Sequence, residues 1–104
     1  MDLKNKAIVI TGAARGLGAA MAKRLASKGA KLALVDLDQA SVDETAKACI
    51  AAGAAAAKGY AINVSDETQV EELFTRVVAD LGGLDGLVNN AGITRDALMI
   101  KYKD

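Results

Sequence analysis

The chain has 104 residues, with 13 basic and 13 acidic side chains, one cysteine, no histidine and no proline. That length makes one domain with a real core, residues 1–104 without a second domain, and a zero net charge offers nothing to nucleic acid. The missing histidines exclude imidazole acid–base chemistry and histidine metal sites, and the lone Cys49 excludes an internal disulfide and fits a reducing compartment.

Apolar runs fall well short of the roughly 20 residues of a membrane span. The opening Met1-Asp2-Leu3-Lys4-Asn5-Lys6 lacks the apolar stretch of a signal peptide. The expectation is a soluble, cytoplasmic chain with no membrane partner.

Residues 7–11 form the first short apolar run, the pattern of a strand buried on both faces. Thr11-Gly12-Ala13-Ala14-Arg15-Gly16-Leu17-Gly18 follows it and opens a helical pattern over residues 15–28, with Leu17, Met21 and Leu25 at four-residue spacing and Gly29 placed as a stop. A strand that passes through a glycine-rich turn into a helix N-terminus suits a dinucleotide pyrophosphate, because free N–H groups and the helix dipole favour an anion there. The spacing is Gly-x3-Gly-x-Gly rather than the general Gly-x-Gly-x2-Gly.

A second strand is predicted over residues 31–35. Asp36 stands at its end, eighteen residues beyond Gly18, where an acid hydrogen-bonds ribose hydroxyls and repels a 2′-phosphate. Leu37 follows, where a cation would have suited NADP, so NAD is favoured; Arg15 is the counterweight, since it can pair with that phosphate. Ser41-Val42-Asp43-Glu44 reads as a capping box for a helix that ends near Gly53, and Ala51 to Ala57 reads as helix end and loop. Cys49 reads as core.

The third strand is predicted over residues 60–64, closing on Asn63-Val64. An amide there suits either the adenine amine or the turn before Ser65, and the two readings stand level. Ser65 is the expected N-cap of the next helix, whose apolar stripe is Val70, Leu73, Phe74, Val77, Val78 and Leu81, closed by Gly82-Gly83. The fourth strand, residues 84–89, runs into Asn89-Asn90-Ala91-Gly92. The order β-α-β-α-β-α-β predicts an α/β, doubly wound parallel sheet.

Together, the glycine turn, Asp36, Asn63-Val64 and Asn89-Asn90-Ala91-Gly92 resemble the short-chain dehydrogenase/reductase family, from Leu3 to Asp104. The continuation Ile93-Thr94-Arg95-Asp96-Ala97-Leu98 with Lys103-Asp104 is similar to its bacterial 3-oxoacyl-acyl-carrier-protein reductases. The resemblance implies a Rossmann-type fold in which Gly12, Arg15, Gly16, Leu17 and Gly18 bind pyrophosphate and ribose. It further implies that Asp36 and Leu37 hold the adenosine ribose, Asn63 and Val64 the adenine, and Asn90, Ala91 and Gly92 the ribose nearer the nicotinamide, while Asn89 and Asn90 brace the sheet. Asp36 departs from that reductase subgroup, which mostly uses NADPH, and implies an NAD-preferring relative working on an acyl-CoA or another hydroxyacyl compound.

The family's reaction, as the resemblance implies it, passes a hydride between nicotinamide and a carbonyl carbon, with a tyrosine as acid/base and a lysine four residues later. Here Tyr60 has Val64 at that place and Tyr102 would need a residue beyond Asp104, so no catalytic residue is assigned in this chain. The expectation is the cofactor-binding amino-terminal portion of a family enzyme, a homo-oligomer when complete, reaching its acyl or carbonyl substrate through the remaining half. The alternative is a non-catalytic dinucleotide-binding module, or a fragment that needs a partner chain. The family's strand order also implies that the fourth strand is an open edge here, which predicts marginal stability or association.

Overall fold

The computed structural model describes residues 2–90 and 100–102. Strand β1 (Ala7–Thr11) is buried at every position and sits at the centre of a five-stranded sheet. Helix α1 (Gly16–Ala26) leads to β2 (Lys31–Asp36), α2 (Gln39–Ala52) to β3 (Ala56–Ala61), and α3 (Glu67–Leu81) to β4 (Gly86–Val88). A short β5 (Ile100–Tyr102) completes the order β3-β2-β1-β4-β5, in which the first four strands are parallel and β5 is antiparallel to β4. The doubly wound parallel sheet is therefore present, with β4 covered rather than exposed as its edge. Three residues of β5 are enough because β4 itself is only three residues long, and a short outer strand offers little to a further chain.

Alternation along the central strands feeds two cores. Ile8, Ile10, Leu32, Leu34 and Val88 face α1 and α2, joined by Val42 and by Cys49, which is fully buried. Ala7, Val9, Ala33, Val35 and Tyr60 face Leu73, Val77 and Leu81 of α3. In the α3 stripe Val78 is 47% exposed, while Phe74 is half-buried and packs on the second core.

Several boundaries differ from the sequence reading, each for a tertiary reason. β3 begins four residues earlier than expected, because its alanine-rich start pairs in register with β2 from Ala56 opposite Lys31 to Ala61 opposite Asp36. Sheet pairing overrides the weak strand preference of alanine and glycine. The strand also stops earlier: beyond Ile62, whose N–H reaches Asp36 O, β2 has no backbone left to pair with, so Asn63 and Val64 lie in a loop. β4 is trimmed at both ends. Asp85 brackets Ala7 through its own N–H and its carboxylate, and Asn89 is taken by a side-chain bond.

Capping differs too. Asp38, not Ser41, caps α2: its carboxylate accepts from Ser41 N–H and from the Ser41 hydroxyl, which draws Ser41 into the first turn and leaves the expected box with Glu44 unused. Asp66, not Ser65, caps α3, accepting from Thr68 and Gln69 N–H. Carboxylates at these sites also meet the positive end of the helix dipole. Gly53 and Gly82 end α2 and α3 with left-handed backbone, as expected.

On α1 the buried face is not the leucine stripe. Gly18, Ala19, Ala22 and Ala26 face inward, Met21 and Leu25 flank them, and Leu17 is 57% exposed. The cause is distance. A Cβ on Gly18 would lie 1.9 Å from Gly12 O and 2.8 Å from Asn90 Nδ2, so only glycine lets α1 approach the turn.

Tyr60 is fully buried, and its hydroxyl donates to Asp80 Oδ2 at 2.7 Å. Lys58 pairs with the same carboxylate, and the Arg76 guanidinium stands 5.0 Å from the ring centroid. Burial, reinforced by the Asp80 bond, pushes the Tyr60 hydroxyl well above its usual range.

Gly18→Ala is expected to lose roughly 1–3 kcal/mol of stability by overpacking. Gly83→Ala, whose added Cβ meets nothing within 4 Å, should change stability by less than about 0.5 kcal/mol; thermal denaturation of the pair tests this. Tyr60→Phe should cost about 1 kcal/mol near neutral pH. Because the folded-state pKa of Tyr60 is raised, its contribution is full below the unfolded value of about 10 and is lost as pH rises past it. Urea melts at neutral and strongly alkaline pH should therefore show a shallower alkaline loss in the Phe variant.

Candidate dinucleotide site

The glycine turn leaves β1 at the carboxyl edge of the sheet. Gly12 and Gly16 adopt left-handed backbone, at φ 64 and 59, which glycine reaches without strain. Between them, Ala13 N–H donates to Val35 O and Ala14 N–H to Asp36 Oδ2, both at 3.0 Å, so β2 holds the turn's middle. Arg15 is the N-cap of α1, in extended backbone, and makes no side-chain cap bond, whereas α2 and α3 are closed by aspartates. The first-turn N–H groups of α1 are thus not closed by their cap residue, and they follow a turn that permits close approach.

Neighbouring strands supply the walls. Asp36 Oδ1 also accepts from Leu37 N–H at 2.8 Å, and a carboxylate keeps acceptor sites beyond two such bonds. From β4, Thr11 Oγ1 donates to Asn89 Oδ1 and accepts from Asn90 N–H at 2.8 Å, while Asn90 Nδ2 donates to Gly12 O at 3.3 Å. Asn89 and Asn90 thereby tie β4 to β1 beside the turn.

A cavity of about 430 Å³ opens there, lined by Gly12, Val35, Asp36, Leu37, Ile62, Asn63, Val64, Ser65 and Asn90. Six of the residues singled out in the sequence meet in it: Gly12, Asp36, Leu37, Asn63, Val64 and Asn90. Leu37 presents an apolar surface, being 71% exposed. Arg15 and Gly16 line a neighbouring groove of about 400 Å³ between α1 and α2, with Ala14, Lys23 and Thr45. Gly18 is buried against Gly12, a packing position, and Leu17 projects to solvent. Ala91 and Gly92 lie outside the described residues.

Asn63 sits in an Asx-type turn: its Oδ1 accepts from Ser65 N–H at 2.9 Å, and its own N–H donates to Gln69 Oε1. The loop-forming reading of this amide is thus realised in the fold. At the start of α2 Asp38 is held below the usual carboxylate range, first by the Ser41 hydroxyl, with a smaller contribution from Arg15.

Sequence reasoning missed the inward role of the Thr11 hydroxyl, although Thr11 opens the glycine motif. It also missed Thr45, whose hydroxyl lies 3.3 Å from Ala14 O; a threonine within a helix carries no local signal of such a contact. Among the described residues, the cavity lining contains no tyrosine, lysine or cysteine. Tyr60 is buried on the α3 side of the sheet, where its hydroxyl donates to Asp80.

The chain matches the short chain dehydrogenase family over residues 6–104. It is 39% identical over 104 residues to the 3-oxoacyl-(acyl-carrier-protein) reductase FabG of Escherichia coli (strain K12), covering 100% of this chain and 41% of that protein. A metagenomic short-chain oxidoreductase in complex with NADP has a TM-score of 0.81 at 36% identity, covering 89% of this chain and 42% of that one. NAD+-bound xylitol dehydrogenase has a TM-score of 0.78 at 30% identity, covering 84% of this chain and 33% of that one. The two structural neighbours thus carry different dinucleotides, on the same Rossmann-like parallel sheet. With these likenesses added to the glycine turn and the residues converging beside it, the chain belongs to the short-chain dehydrogenase family.

Proposed function

We propose that this chain is the NAD(H)-binding portion of a short-chain oxidoreductase that passes a hydride between nicotinamide and a 3-oxoacyl or 3-hydroxyacyl group, carried on acyl carrier protein or coenzyme A, or a similar carbonyl compound. The observation that carries this reading is the meeting of Gly12, Asp36, Leu37, Asn63, Val64 and Asn90 around one cavity beside an α1 N-terminus with no side-chain cap. The likeness to FabG supports the acyl substrate class. The chain spans 41% of that relative's length, so substrate and turnover are inferred for a larger whole.

The residues fit the cofactor. Gly12, Arg15, Gly16, Leu17 and Gly18 form or shape the turn that would take the pyrophosphate, and Gly18 keeps α1 close behind it. Asp36 would accept from the adenosine ribose hydroxyls through its remaining lone pairs, while Leu37 gives the ribose an apolar rest. Val64, with the unshared part of the Asn63 amide, would face the adenine. Asn90, and by sequence Ala91 and Gly92, would border the second ribose. When bound, the nicotinamide supplies or receives the hydride.

NAD is favoured over NADP because the Asp36 carboxylate would repel a 2′-phosphate at hydrogen-bond range. Arg15 is the counterweight to this preference, since it can pair with that phosphate. A second reading, a non-catalytic binding module, is favoured by one observation: Tyr60 has Val64, not a lysine, four residues on.

Titration calorimetry should show NAD+ or NADH binding to the 104-residue chain, with no turnover of acetoacetyl-CoA. Absence of any dinucleotide binding would defeat the proposal, and turnover by this chain alone would defeat the assignment of chemistry elsewhere. Asp36→Ala should relax the preference for NAD by on the order of 1–3 kcal/mol. Asp36→Asn, which removes charge but can keep the bond from Ala14, should raise NADP+ affinity; unchanged discrimination in both variants would count against Asp36.

A further inference from the structure

Thr11 and Thr45 are both buried, each 6% exposed. They stand on opposite sides of the glycine turn. Thr11 joins it to β4, as described above. Thr45 lies in the middle of α2, with its hydroxyl 3.3 Å from Ser41 O and 3.3 Å from Ala14 O. A hydroxyl has one proton and donates to one of these at a time. The bond to Ser41 is the back-bond that a helical threonine makes anywhere. The contact with Ala14 crosses between elements, over a separation of 31 residues.

Resting on the dinucleotide reading above, we propose that Thr45 is a positioning residue for this site, holding the glycine turn through the carbonyl of Ala14. The Ala14 N–H is already bound by Asp36 Oδ2, so its flanking peptides are held by β2 on one side and α2 on the other. That grip matters because of what surrounds it. Ala14 lies midway between Gly12 and Gly16, the two residues with the widest choice of backbone conformation. A glycine-flanked segment needs bonds from outside to hold one shape, and a shape held before binding lowers the ordering cost of taking a ligand. If the Ala14 backbone turned, its N–H would leave Asp36 and the Arg15 cap position would tilt with it. Thr45 therefore acts on affinity and, through Asp36, on discrimination, without touching the dinucleotide.

Thr45→Val removes the hydroxyl at nearly constant shape, and Thr45→Ser keeps it; Thr45→Ala replaces Val if Val does not fold. Two measurements on the full chain decide. In the cofactor-free protein, amide hydrogen exchange at Ala14 should speed up roughly three- to tenfold in Thr45→Val, the loss of one net hydrogen bond. In calorimetry the NAD+ Kd should weaken by a similar factor and the NAD+/NADP+ ratio should narrow, with Ser restoring both. Unchanged Ala14 exchange in the Val variant overturns the proposal, as does faster exchange with an unchanged Kd. A lower melting temperature with intact cofactor affinity likewise assigns Thr45 to helix stability alone. Failure of the unmutated chain to bind any dinucleotide defeats the underlying reading instead, and is seen before any variant is made.

Discussion

The distance between Gly18 and the carbonyl of Gly12 governs the carboxyl edge of this sheet. A hydrogen in place of a methyl group lets the first turn of α1 rest directly on the loop that leaves β1. That approach brings Asn90 Nδ2 within reach of Gly12 O, and with it the β4 loop. It also explains why the inward face of α1 is built from glycine and alanine, since larger side chains would lift the helix away. The position of the start of α1 and the walls of the cavity are thus consequences of one van der Waals constraint.

Around that contact, polar bonds from two strands and a helix converge on a turn of four residues. β2 grips it through Val35 O and Asp36, β4 through Asn89 and Asn90 by way of Thr11, and α2 through Thr45. The arrangement suits a binding site whose ligand brings its own chemistry. It presents N–H groups, a carboxylate and amides.

How much of this was visible beforehand follows from the kind of constraint each residue obeys. Gly12, Gly16 and Gly18 were legible because backbone conformation and close approach restrict those positions to glycine. Asp36 was legible because its charge has meaning at a fixed distance from the turn. The Asp38 and Asp66 caps were misassigned to Ser41 and Ser65 because several suitable side chains crowd each helix start, and only the path of the chain selects among them. The early start of β3 was hidden because Ala56 and Ala57 become strand through pairing with β2, a long-range effect that local composition does not encode. Thr45 was hidden for the same reason. Its partner lies 31 residues away, and nothing within one helical turn announces it.

The alanine face of α1 has a further consequence for how precisely the turn is held. Ala19, Ala22 and Ala26 have no side-chain rotamers to freeze when the helix docks, so along that face attachment costs backbone entropy alone. They also have none to change afterwards. A helix seated on leucines can shift by exchanging rotamers beneath it, whereas one seated on methyl groups has a single seat. The start of α1 is accordingly less adjustable than the helix's modest apolar burial would suggest.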